Sequence, residues 1–174
     1  LRRKKMIKKF RDKTPVIPDS CYFSESVDII GDVKMGEEVN VWFGTVIRGD
    51  MNYITIGSRT NIQDNSTVHV TTHIAPTIIG NGVTIGHNAI IHGCTIKDNC
   101  LIGMGSIIMD QAIIGAGSLI GAGAVVPPNL VVPPKSLVVG LSAKVIRNVN
   151  EAETKEILDR AQHYIDLANK YNKS

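Results

Sequence analysis

Three histidines, His69, His87 and His92, stand out for chemistry, preceded along the chain by Arg48, Asp50, Gln63 and Asp64. Three neutral imidazoles bind a transition metal and leave a fourth position open. That is the pattern of a catalytic zinc centre, which makes water reactive near neutral pH. Carboxylates beside such rings fix their orientation, and a guanidinium holds a carboxylate through a paired, charge-assisted contact. The plainer alternative is three surface histidines with ordinary hydrogen bonds, and ion pairs from Arg48, Asp50 and Asp64 that serve only an interface. His73 and His163 lie outside the spacing that relates the other three, although His73 is the candidate for a lid or proton relay. Cys94, two residues past His92, has the size and polarity of a small core filler.

The elements that position these residues come from a repeat. Aliphatic or aromatic residues recur every six positions at Phe23, Ile29, Met35, Val41 and Ile47, again at Ile56, Ile62 and Val68, at Ile79, Ile85 and Ile91, and from Ile96 to Val138. A period of six is neither helical nor simple strand alternation. It suits a prism in which one hexad makes a flat face and three make a coil, with the recurrent aliphatic stacked inward on its equivalents. Gly, Asn and Asp between the hexads suit corners with positive φ. The pattern resembles that of hexapeptide-repeat proteins, and this resemblance implies a left-handed parallel β-helix, an all-β solenoid.

The repeat slips three times: three residues are inserted between Ile47 and Ile56, five between Val68 and Ile79, and one is missing between Ile91 and Ile96. Insertions leave a solenoid as loops, commonly on its functional face. With the insertions removed, Ile47, Val68 and Ile91 fall in one column, so Arg48, His69 and His92 share an outer face. Adjacent coils lie about 4.8 Å apart, close enough for His69 and His92 to meet on one ion. Val41, Ile62 and Ile85 form another column, which places Gln63, Asp64 and His87 on a different face. Within one prism His87 is separated from the pair. A cyclic three-fold assembly brings His87 of a neighbour to it.

At 174 residues the chain has room for one folded unit. The expected organisation is a basic arm over residues 1–15, the β-helix over 16–146 and a C-terminal amphipathic helix over 147–174. Of the first thirteen residues eight are basic, giving a solvated arm rather than a basic domain; no Arg-rich groove or aromatic platform follows it, which argues against nucleic acid. No apolar run approaches the 18 residues of a membrane span, and the three cysteines lack CxxC spacing, so the expected compartment is the reducing cytoplasm. Asn150-Glu151-Ala152-Glu153 has the form of a capping box, and Ile157, Leu158, Ala161, Tyr164, Ile165, Ala168 and Tyr171 make the helix's apolar stripe.

The series Val46-Ile47-Arg48-Gly49-Asp50, Thr60-Asn61-Ile62-Gln63-Asp64-Asn65, Val68-His69 and Gly86-His87-Asn88-Ala89-Ile90-Ile91-His92-Gly93-Cys94 closely resembles the motif series of the gamma-class carbonic anhydrases, from about Val16 to Ile146. The resemblance implies a homotrimer with His69, His87 and His92 as metal ligands, His87 coming from the adjacent subunit. It implies that Gln63 orients solvent at the metal, and that Arg48, Asp50 and Asp64 form charged contacts around it. Two departures concern proton transfer. The loop Val70-Thr71-Thr72-His73-Ile74-Ala75-Pro76-Thr77 carries no carboxylate, and Met51 stands where fully equipped members have a glutamate. Gly140-Leu141-Ser142-Ala143-Lys144 is a milder variant of the family's ending.

The expected activity is reversible hydration of carbon dioxide to bicarbonate, slow where proton removal limits it. Zinc is the expected metal, with ferrous iron or cobalt also compatible with imidazole ligands. Three alternatives remain: a metal-dependent hydrolase such as a thioesterase, a hexapeptide acyltransferase using a histidine base, and a non-catalytic metal-binding scaffold.

Overall fold

The computed structural model describes residues 6–173. Short parallel strands wind into a left-handed β-helix with three flat faces. The first face stacks residues 28–30, 46–48, Thr67–His69, Ile90–His92, Ile107–Ile108 and Val125–Val126. The second stacks residues 33–35, 54–56, Thr77–Ile79, Thr95–Ile96, Ile113–Ile114 and Val131–Val132. The third runs from Tyr22–Phe23 through Asn61–Ile62 and Thr84–Ile85 to Ser136–Val139. Two strands, Asp28–Met35 and Val46–Ile56, continue round a corner and join the first two faces into one sheet.

The registers follow from the hexads. Ile47 pairs with Val68, Val68 with Ile91 and Ile91 with Ile108, all fully buried, while the third face stacks Val41 on Ile62 on Ile85. Each buried isoleucine contributes about 1.5–3 kcal/mol relative to exposure, and repeating it coil after coil makes the column the main source of order. Corners need left-handed backbone, supplied for example by Asn65 and Asn88 at φ 58° and 56°. Cys94 and Cys100 are buried in the same core and Cys21 is half-buried; all three are free thiols. Burial pushes the Cys94 thiol up to about 12.

Both ends depart from simple expectation. Residues 1–5 of the expected arm lie outside the described residues; Met6–Lys8, with exposed side chains, forms a strand that pairs in parallel with residues 28–30. The physical reason is the first coil's open edge, whose unpaired backbone groups are satisfied by one more strand. At the other end, Ser136–Val139 pairs antiparallel with Lys144–Asn148, which turns the chain toward the helix Glu151–Tyr171. The capping box is formed, with Glu153 N–H donating to Asn150 Oδ1 at 2.8 Å and Asn150 N–H to Glu153 Oε2 at 2.9 Å. The helix buries Ile157, Ala161, Ile165 and Ala168 and lies along the third face, where Tyr22 and Trp42 receive it. Leu158, expected in the apolar stripe, is half exposed, because the buried stripe is a single row at four-residue and three-residue steps. Among the described residues no helix is long and apolar enough to cross a membrane.

Candidate metal centre

His69 and His92 are direct neighbours across the strands Thr67–His69 and Ile90–His92. His69 Nδ1 lies 3.1 Å from His92 Nε2. Each ring's other nitrogen meets a carboxylate: His69 Nε2 is 3.0 Å from Asp50 Oδ1, and His92 Nδ1 is 2.6 Å from Asp110 Oδ1. An ionised carboxylate only accepts, so a neutral ring that donates its one N–H to that carboxylate presents a lone pair at its other nitrogen. Two lone pairs then face each other across the short gap. Such an arrangement calls for a cation between them, so the donor set fits a metal.

Two loops supply the carboxylates and their supports. Asp50 sits in the first insertion, where Arg48 donates to its other oxygen. Burial pushes the Asp50 carboxyl up, but hydrogen bonds from His69 and Arg48 and the guanidinium charge outweigh it and hold it below the usual range. Asn52 Nδ2 donates to the carbonyl of Thr71 at 3.3 Å, linking the first insertion to the second. Thr71 Oγ1 in turn donates to Asp110 Oδ2 at 2.7 Å. Asp110 is likewise raised by burial, but hydrogen bonds from Thr71 and His92 outweigh it and hold it below the usual range. His73 occupies the tip of this loop at φ 56°, between the bridged residues Thr71 and Ala75, with its side chain exposed. Met51, beside Asp50, is exposed as well.

His87, Gln63 and Asp64 occupy the third face and its corner. His87 Nδ1 lies 2.8 Å from Asp64 Oδ2. Gln63 is buried and donates from Nε2 to Asn61 Oδ1 at 3.2 Å, while Asn61 Nδ2 donates to Thr84 Oγ1 at 2.8 Å. Beside them a groove of about 210 Å³ is lined by Gln63, His87, Leu101, Met104, Leu119 and Tyr164. The chain by itself therefore brings two imidazoles together and leaves the third apart. Among the described residues no three of His, Cys, Asp and Glu converge to hold a metal.

Asp110 is the residue that sequence analysis missed. Its signal was present, since Ile108 falls one coil beyond Ile91 and Asp110 occupies the corner just after it. A column, however, gives where a corner side chain starts and not how far it reaches. Gly93 makes room for it: a Cβ there would lie 2.5 Å from Asp110 Oδ1, and its φ of 55° also favours glycine. His163 lies on the C-terminal helix against Tyr164, on the side of the third face.

Comparison with known proteins places these features in context. Repeat models match residues 76–109, as the hexapeptide repeat of succinyl-transferase, and residues 93–128, as the bacterial transferase hexapeptide. A carbonic anhydrase of Geobacillus kaustophilus is 49% identical over 95% of this chain and 91% of its own. A probable carbonic anhydrase of Methanocaldococcus jannaschii is 47% identical over 88% and 96%. The Arabidopsis thaliana mitochondrial gamma carbonic anhydrase 2 is 39% identical over 90% of this chain and 58% of its own. Among solved structures, a putative acetyltransferase of Bacillus cereus superposes with a TM-score of 0.95 at 42% identity, covering 98% of both chains. Acyltransferases share the hexad, so a transferase description alone does not separate the two activities; the curated relatives named for an activity and matched over most of their own length are carbonic anhydrases. By sequence over nearly its whole length, the chain belongs to the gamma-class carbonic anhydrase family.

Proposed function

We propose that this protein catalyses the reversible hydration of carbon dioxide to bicarbonate as a homotrimer. Each site would hold one divalent ion between His69 and His92 of one subunit and His87 of the partner subunit. The observation that carries this is the pair of facing ring nitrogens, 3.1 Å apart, each ring held by its own carboxylate. When bound, the ion would supply the Lewis acidity that makes water a nucleophile near neutral pH. Zinc is the proposed metal because imidazole donors suit it; they also accept ferrous iron or cobalt.

The chain's own residues then have separable tasks. Asp50 and Asp110 fix the His69 and His92 rings, Arg48 fixes Asp50, and Asp64 fixes His87. Gln63 donates to Asn61 through Nε2, which leaves its Oε1 to accept a hydrogen bond from water and orient it. Proton removal has no carboxylate at residue 51 or in the loop 70–77, so exposed His73 and external buffer are the available bases. The three free thiols support a reducing, cytoplasmic setting.

The groove beside Gln63 and His87, at about 210 Å³, supports a second reading, hydrolysis of a larger activated carbonyl such as a thioester. Metal content and stopped-flow carbon dioxide hydration, measured on one preparation, separate the two. About one ion per chain with hydration that rises with imidazole-type buffer is expected. Full metal occupancy with no hydration at any buffer concentration would overturn the proposal and favour the thioester.

A further inference from the structure

We infer that Asp110 is a positioning residue of the metal centre, one that selects which nitrogen of His92 faces the ion. The inference rests on the proposed metal site, but the hydrogen-bond geometry behind it belongs to the chain alone. His92 Nδ1 lies 2.6 Å from Asp110 Oδ1, while its Nε2 faces His69. An acceptor on Nδ1 keeps the proton there and leaves the Nε2 lone pair outward, which is how carboxylates fix ligand tautomers.

Asp110 is itself held from two sides. Its second oxygen accepts from Thr71 Oγ1 at 2.7 Å, so the carboxylate plane is set by the loop that follows His69. The loop is tied down further by Asn52, which donates to the Thr71 carbonyl. Gly93 keeps the space between His92 and Asp110 clear, since any Cβ there would meet the carboxylate. The result is a chain of contacts from one insertion to the other that ends on both imidazoles. Asp50 does for His69 what Asp110 does for His92, but Asp50 is held by a guanidinium and Asp110 by a hydroxyl.

The test reads the tautomer directly, by long-range proton–nitrogen correlation in metal-free protein labelled with ¹⁵N-histidine. Signals are assigned to His92 by their loss in His92→Ala. The wild type is expected to carry the proton on Nδ1 of His92; a proton on Nε2 would overturn the inference whether or not any variant folds. Asp110→Ala is expected to give mixed tautomers and to weaken zinc binding, measured by chelator competition, by about 10–100-fold. Asp110→Asn, which keeps an acceptor oxygen, is expected to restore the tautomer and most of the affinity. Thr71→Val should produce a smaller loss of affinity than Asp110→Ala. A folded Asp110→Ala protein with unchanged tautomer and zinc affinity would also overturn the assignment. Failure of the wild type to bind zinc, with the Nδ1 proton in place, would instead count against the proposed metal function.

Discussion

Replacing His69, His87 or His92 by alanine should remove bound metal while leaving the β-helix intact, because the three side chains are partly exposed and the core is aliphatic. Metal analysis beside circular dichroism checks this, and retention of metal by His87→Ala would show that the third ligand lies elsewhere. Cysteine chemistry gives a second expectation. With Cys94 buried and its thiol pushed to about 12, and Cys100 buried and pushed to about 11, neither offers thiolate at pH 8. Mass spectrometry after maleimide treatment of native protein should therefore find modification at half-buried Cys21 only, and at all three thiols after unfolding. His69 and His92 were legible because each directly follows a buried repeat residue, and register alone places them side by side. Asp110 was not, because what matters is how far a corner side chain reaches, and a period says nothing about reach.

At the scale of elements, the C-terminal helix rests on a cap and a docking face that can be probed separately. Asn150→Ala removes the acceptor for Glu153 N–H and should cost about 1 kcal/mol, measured by denaturant unfolding. Glu153 also accepts both guanidinium nitrogens of Arg147, and that hydrogen bonding lowers its carboxyl from 4.5 to about 2. A depressed acid stabilises the fold above its unfolded value, so this contribution is complete above about pH 4.5 and fades as the pH falls toward 2. The pair lies at the surface, with Arg147 about half exposed and Glu153 partly exposed, so the effect is small and screened by salt. Trp42, the single tryptophan, touches Tyr164 and Tyr171 of the helix and should report any undocking in that window by fluorescence. Glu153→Gln should flatten the response. The helix was legible from its capping sequence and period, whereas strand Met6–Lys8 was hidden among the basic residues on either side of it. An edge strand needs only backbone partners, and charged side chains on it are compatible with pairing.

At the scale of the molecule, the faces of the prism set the logic of assembly. His69 and His92 stand on the first face, while His87 pairs with Asp64 at the third, and no coil-to-coil register brings them together within one chain. A three-fold ring solves this if the first face of each subunit meets the third-face corner of the next, which is a heterologous contact that closes. Mixing subunits tests that geometry more sharply than measuring mass. Homotrimers of His87→Ala lack the third ligand at every site, and homotrimers of His92→Ala lack half of the facing pair, so each preparation alone should bind no metal tightly. When the two are unfolded together and refolded as mixed trimers, a site becomes whole wherever a His87→Ala subunit contributes His69 and His92 and its neighbour contributes His87. Random assembly gives that combination at about one quarter of interfaces. Metal binding should return to about that fraction of the wild-type stoichiometry, and any carbon dioxide hydration should return with it. A complete absence of recovery in verified mixed trimers would mean that His87 does not join the other two across an interface, since a site built within one chain can never be repaired by a neighbour.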